Sequence, residues 1–123
     1  MNETVKHNQS EEDYLESILL LSQELDYVHR IDVARRINVS QAAVNKAVKI
    51  LIDKGYVVED GKHLILTASG TGKATQVLFR HKILCRFLEK LGVSKQTAES
   101  DACRLEHEIS DETFEKITEF LQD

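Results

Sequence analysis

Near the middle of the chain the spacing of apolar residues changes period, and this change constrains the fold more than any other feature. Ala43, Val44, Ala47, Val48, Leu51 and Ile52 recur at helical spacing, which predicts a helix capped by Ser40 and stopped at Lys54-Gly55. Directly after Gly55 the pattern turns into two short β-prone runs, Tyr56-Val57-Val58 and His63-Leu64-Ile65-Leu66. Between them stands Glu59-Asp60-Gly61-Lys62, whose Asp-Gly pair marks a hairpin. Upstream, Val33, Ala34 and Ile37 predict a short helix over about Ile31 to Ile37, broken by Asn38-Val39. Two helices joined by a tight turn and followed at once by a hairpin describe a winged helix-turn-helix.

The flanks are helical. Tyr14, Leu15, Ile18, Leu19, Leu21 and Leu25 predict a first helix over about Ser10 to Leu25, and Ser10 with Asp13 resembles a capping box. Beyond Thr67, the residues Ala74, Val77, Leu78, Leu84, Cys85, Leu88 and Leu91 define a long fourth helix stopped by Gly92, with His81 in line with Val77 and Leu88. Ser94 opens a fifth helix through Ala98, Ala102 and Leu105; Ser110-Asp111 opens a sixth carrying Phe114, Ile117 and Leu121. A short chain offers these last two little to cover, so a second subunit is expected against their apolar faces. The expected fold is mainly α with a small β-hairpin wing. Its winged helix-turn-helix occupies residues 1–70 and a helical module residues 71–123.

No run approaches the roughly 18 apolar residues of a membrane span, and MNETVKHNQS lacks the apolar core of a signal peptide, so a cytoplasmic location away from membranes is expected. There Cys85 and Cys103 stay reduced, each as a small buried hydrophobe or a metal ligand. The net charge of -5 hides a division by region: residues 1–27 carry -6, residues 28–90 carry +7 and residues 91–123 carry -6. The basic middle is fit to meet phosphate, and the acidic flanks are fit to gather cations.

The third helix turns Gln41, Asn45, Lys46 and Lys49 away from its apolar face. Amides and ammonium groups are the types that read base edges and hold phosphates. Gln41 and Asn45 are base-contact candidates. Ser40 at the helix start, Lys46 and Lys49, Arg35 and Arg36 on the preceding helix, and Lys62 at the wing tip complete a DNA-binding set. Taken singly each is a solvated surface residue; their shared placement points to duplex DNA. His29 and His63 fall beside this surface as surface groups or phosphate neighbours, and His7 falls in an expected disordered tail.

A second group mixes soft and hard donors. Cys103, Glu106 and His107 stand at i, i+3 and i+4, on one face if the stretch is helical. Sulfur, oxygen and nitrogen together suit a divalent transition ion better than calcium or magnesium. Asp13 and Glu16 supply a carboxylate pair one turn apart, and His81 an imidazole. Spacing leaves open whether the three helices converge on an ion, or whether His81 is a core histidine, Asp13 a helix-start acid and Glu106-His107 a solvated edge. His107-Glu108-Ile109-Ser110-Asp111 misses the zinc protease motif because Asp111 stands in place of its second histidine. With no Gly-rich phosphate loop and no nucleophile elbow, neither an enzyme nor a small-molecule substrate is expected.

Several stretches together resemble the diphtheria toxin repressor family: Asp13-Tyr14-Leu15-Glu16, Ser40-Gln41-Ala42-Ala43-Val44-Asn45-Lys46, Leu66-Thr67-Ala68-Ser69-Gly70, Arg80-His81, and Asp101 through Glu108. The resemblance runs in order from about Ser10 to Leu121. It implies a homodimeric, metal-activated transcriptional repressor that binds a pseudo-palindromic operator through winged helices and dimerises through a metal-binding helical module. By this likeness Asp13, Glu16, His81, Cys103, Glu106 and His107 match the metal-ligand positions.

Asp13 matches the manganese-responsive branch and Cys103 the iron-responsive branch, so Fe2+ and Mn2+ are both expected activators, with Co2+ or Zn2+ as surrogates. The iron branch has a second site built on a Glu and a His where this chain has Cys85 and Glu99. The likeness therefore offers Cys85 and Glu99, with His81, as an ancillary site. It further implies a two-domain architecture, without the SH3-like third domain of many iron-responsive members. A winged-helix regulator indifferent to metals and a small metalloenzyme are the competing expectations.

Overall fold

The computed structural model describes residues 11–122, and the Ser10 cap and His7 lie outside them. The chain forms two compact units, Met1–Thr75 and Gln76–Asp123. The first holds α1 (Glu11–Glu24), α2 (Arg30–Ile37), α3 (Gln41–Asp53), β1 (Val57–Asp60), β2 (His63–Leu66) and the start of α4 (Ala68–Lys90). The second holds the rest of α4, then α5 (Lys95–Leu105) and α6 (Asp111–Gln122). The fold is the expected one, mainly helical with a hairpin wing.

In the first unit each helix buries the stripe its spacing predicts. Leu15 and Ile18 of α1, Val33 of α2, Val44, Val48 and Leu51 of α3 and Val57 of β1 are all completely buried in one core. Local chemistry sets the ends. Asp32 accepts the His29 backbone N–H at 2.9 Å at the start of α2. Asn38 closes that helix in the left-handed region at φ 64°, and the Ser40 hydroxyl accepts from Ala43 N to open α3.

The strands pair antiparallel from Val57 opposite Leu66 to Asp60 opposite His63. β1 thus reaches further than the sequence suggests. Asp60 closes the ladder, and the loop pair is Gly61-Lys62, with Gly61 at φ 66°. The stretch before α2 adds an edge to this ribbon, Leu64 N donating to Val28 O at 2.8 Å.

The Leu66-Thr67-Ala68-Ser69-Gly70 stretch has a physical reason. Thr67 N donates to Tyr56 O, its hydroxyl donates to Gly55 O, and the same hydroxyl accepts from Gly70 N to start α4. A Cβ on Gly70 would lie 2.0 Å from Tyr56 O, so no side chain fits there.

The second unit is thinner. Leu84, Cys85 and Ala102 form its buried centre, with Leu88, Leu105, Ile109, Phe114 and Ile117 packed partly against it. No residue of α6 is buried. Phe79, Leu91 and Phe120 stay exposed. Among the described residues no helix is long and apolar enough to cross a membrane.

Candidate metal centre and nucleic-acid interface

In the first unit the DNA-contact candidates are outside. Gln41, Asn45, Lys46 and Lys49 are exposed on α3, opposite the buried Val44, Val48 and Leu51. Arg35 and Arg36 are exposed on α2, with Arg36 Nη1 3.4 Å from Glu24, and Lys62 stands exposed in the wing loop. Ser40 serves as the α3 cap. The start of α2, the start of α3 and the wing loop meet at a cleft of about 370 Å³ lined by His29, Arg30, Ile31, Gln41 and Lys62. Arg30 escaped the sequence reading because only the tertiary fold brings helix start and wing together. Asp13, on α1, is a buried carboxylate, and Glu16 one turn on is half-buried. Burial, and then the Asp13 charge, push the Tyr14 hydroxyl above its ordinary pKa.

In the second unit Glu106 and Cys85 are buried, His81 and His107 are half-buried, and Glu99 and Cys103 are exposed. Glu106 is only 3% exposed. Its Oε1 lies 2.8 Å from His81 Nδ1, and its Oε2 lies 3.5 Å from His107 Nε2. The other ring nitrogen of His81, Nε2, is 3.0 Å from Glu99 Oε1 and 3.5 Å from Cys85 Sγ, while the Cys85 thiol donates to Glu99 Oε2 at 3.4 Å. One imidazole therefore links the buried Glu106 to a group of His81, Cys85 and Glu99, whose ligand atoms all lie within 4.8 Å of one another. Burial, then the hydrogen bond to Glu99, push the Cys85 thiol up to about 12. The hydrogen bond from His81 holds the Glu99 carboxyl below its usual range.

The end of α5 differs from an ideal helix. Glu106 is its C-cap, and His107 N donates to Arg104 O, three residues back rather than four. The turn tightens there. Cys103 is exposed, Glu106 is buried and His107 is half-buried. Among the described residues two buried side-chain atoms, Arg80 Nε and Glu106 Oε2, have no hydrogen bond, and the carboxylate oxygen fits a cation, since it is costly until a positive partner satisfies it. Nitrogen, sulfur and oxygen donors around it are of the kind divalent transition ions take.

The comparisons with known proteins agree with this division. The family model described as iron dependent repressor, N-terminal DNA binding domain, matches residues 7–64. The one described as iron dependent repressor, metal binding and dimerisation domain, matches residues 67–123. An HTH-type transcriptional regulator of Methanocaldococcus jannaschii is 37% identical over 118 residues, covering 94% of each chain. The transcriptional regulator MntR of Escherichia coli O157:H7 is 37% identical over 112 residues, 90% of this chain and 72% of its own. Among solved structures, the manganese regulator SloR superposes with a TM-score of 0.84 at 29% identity, over 94% of this chain and 55% of that one. A manganese-dependent transcriptional repressor in complex with manganese gives 0.83 at 32% identity, over 92% and 53%. The chain thus spans about half the length of these two solved proteins. It belongs to the iron dependent repressor family, the diphtheria toxin repressor and MntR group of metal-dependent transcriptional regulators.

Proposed function

We propose that this chain is a cytoplasmic, homodimeric repressor without enzymatic turnover, which binds an operator in duplex DNA when loaded with Fe2+ or Mn2+. Residues 1–70 act as the DNA-binding domain and residues 71–123 as the dimerisation and metal-binding domain. The observation that carries this reading is Glu106, a buried carboxylate between two imidazoles with one oxygen lacking a hydrogen bond. Asp13, Glu16, Cys103, Glu106 and His107 are the proposed ligands, with His81 between them and the ancillary Cys85 and Glu99.

A bound divalent ion would supply positive charge beside the buried Glu106 carboxylate. Glu106 Oε1, 2.8 Å from His81 Nδ1, holds the imidazole in place and aims Nε2 at Cys85 and Glu99. The exposed apolar rings of α4 and α6, Phe79 and Phe120, give a second copy a surface to cover. Two copies of α3 then present Gln41 and Asn45 to successive major-groove faces about 34 Å apart, with Arg35, Arg36, Lys46, Lys49 and Lys62 on the phosphates. Turning operator occupancy mostly on requires the ion to favour the binding-competent state by about 5.5 kcal/mol, within reach of coordination bonds and beyond a surface ion pair.

His107→Ala is the direct test. It abolishes Mn2+- or Fe2+-stimulated binding to the chain's own upstream DNA, followed by fluorescence anisotropy, while circular dichroism shows the helices intact. Equal affinity of the unaltered protein with and without either ion would refute metal activation.

A further inference from the structure

We infer that Glu59 is a built-in competitor for DNA phosphate, holding Arg30 in the free protein and releasing it when the backbone of a duplex enters the cleft. The inference rests on the DNA-binding reading above. Arg30 opens α2, and its Nη1 donates to Glu59 Oε2 on β1. Strand alternation places Glu59 on the same side as the buried Val57, which turns it from the wing toward the helices. The cleft beside this pair draws on three elements: His29, Arg30 and Ile31 at the start of α2, Gln41 at the start of α3, and Lys62 in the wing loop. Two of these carry fixed positive charge, and Gln41 stands beside them as a base-contact candidate.

Why is there a carboxylate at such a place? Its pair with Arg30 is partly exposed, with side-chain exposures of 27% and 36%. Pairs of that kind add little to fold stability. Nor is it forced by helix capping, because Asp32 already accepts the His29 N–H. What the carboxylate does do is occupy the guanidinium fork next to Lys62. A phosphate seeking the same planar, two-pronged geometry must displace it. Backbone phosphates are the same at every sequence, so Glu59 lowers affinity for all duplexes alike. At the correct operator, base contacts from α3 repay the exchange; elsewhere nothing does. Glu59 thereby sets the overall affinity for duplex, weakening operator and bulk DNA by the same factor and leaving their ratio unchanged.

The test is a double-mutant cycle on the full chain with saturating Mn2+, titrated by anisotropy against a random-sequence duplex over a range of salt. Glu59→Gln tightens binding by about two- to five-fold at low salt, the scale of one exposed ion pair. The slope of log K against log salt stays close to the wild-type value, because Arg30 meets the same phosphate in both proteins. Arg30→Gln weakens binding and flattens that slope. In the Arg30→Gln background, adding Glu59→Gln changes little. An equal gain in both backgrounds would show that Glu59 acts only through net charge, and weaker binding by Glu59→Gln would make it a positioning residue; either result overturns the inference while leaving DNA binding intact. If none of the four proteins binds any duplex, the DNA-binding reading falls and takes this inference with it.

Discussion

The two units treat ionisable side chains in opposite ways. Among the described residues, unit 1 has eight fully buried apolar side chains from five elements and keeps its proposed DNA contacts outside them. Unit 2 has three buried residues at its centre, one of them a cysteine, and places the buried Glu106 and half-buried His81 beside it, with the exposed Glu99 at the rim. A DNA reader needs a stiff apolar body that presents polar groups to solvent. A metal sensor needs the reverse, polar groups held where water cannot satisfy them, so that an ion makes a large difference. The thin core of unit 2 follows from that task, as does its need for a cation and a second copy.

The sharpest way to break this comparison is to thin both cores. Leu51→Ala removes a completely buried side chain and is expected to cost about 2–5 kcal/mol in urea denaturation. Ile117→Ala, at a half-buried position, is expected to cost clearly less. Equal costs would show that unit 2 is as tightly packed as unit 1.

A comparable effect should come from the ion. At about one hundred times its Kd, Mn2+ is expected to stabilise the wild-type protein by about 2.7 kcal/mol. Glu106→Gln should lose most of that gain in a thermal melt with and without ion, and an undiminished gain would remove Glu106 from the site.

The smallest effect sharpens the contrast by pH. The folded Cys85 thiol keeps its proton up to about 12, whereas the unfolded chain releases it near 9.0. Between those values the unfolded state binds fewer protons, so stability falls as pH rises and is unaffected below that window. Denaturant midpoints followed from pH 8 to pH 10.5 should show this loss for wild type and a weaker one for Cys85→Ala. Parallel curves would mean the thiol is no more shielded than an exposed one.

Much of unit 1 was legible because its signals are local. A six-residue apolar stripe, Ser40 as cap, the Gly55 stop and the Asp60-Gly61 hairpin each act over a few residues, and all appear in the structure. The extent of β1 was not, since the ladder ends where Asp60 meets His63 across the ribbon rather than where β-prone residues run out. For unit 2, helical spacing located α4, α5 and α6, yet it carried no sign of how deep each donor lies, Cys103 being exposed and Glu106 buried. The pairing of His81 with Glu106, 25 residues apart, leaves no periodic trace.

The order of residues by itself determined the six helices, the wing between the third and fourth, and a basic middle flanked by acid, because periodicity, capping and charge are properties of neighbours. Only the tertiary structure decided that Glu106 is buried with an oxygen lacking a hydrogen bond, that one imidazole joins it to Cys85 and Glu99, and that Arg30 meets Glu59 across the wing. Those depend on how helices and strands far apart in the chain rotate about their own axes once their apolar faces have found each other, which no local spacing records.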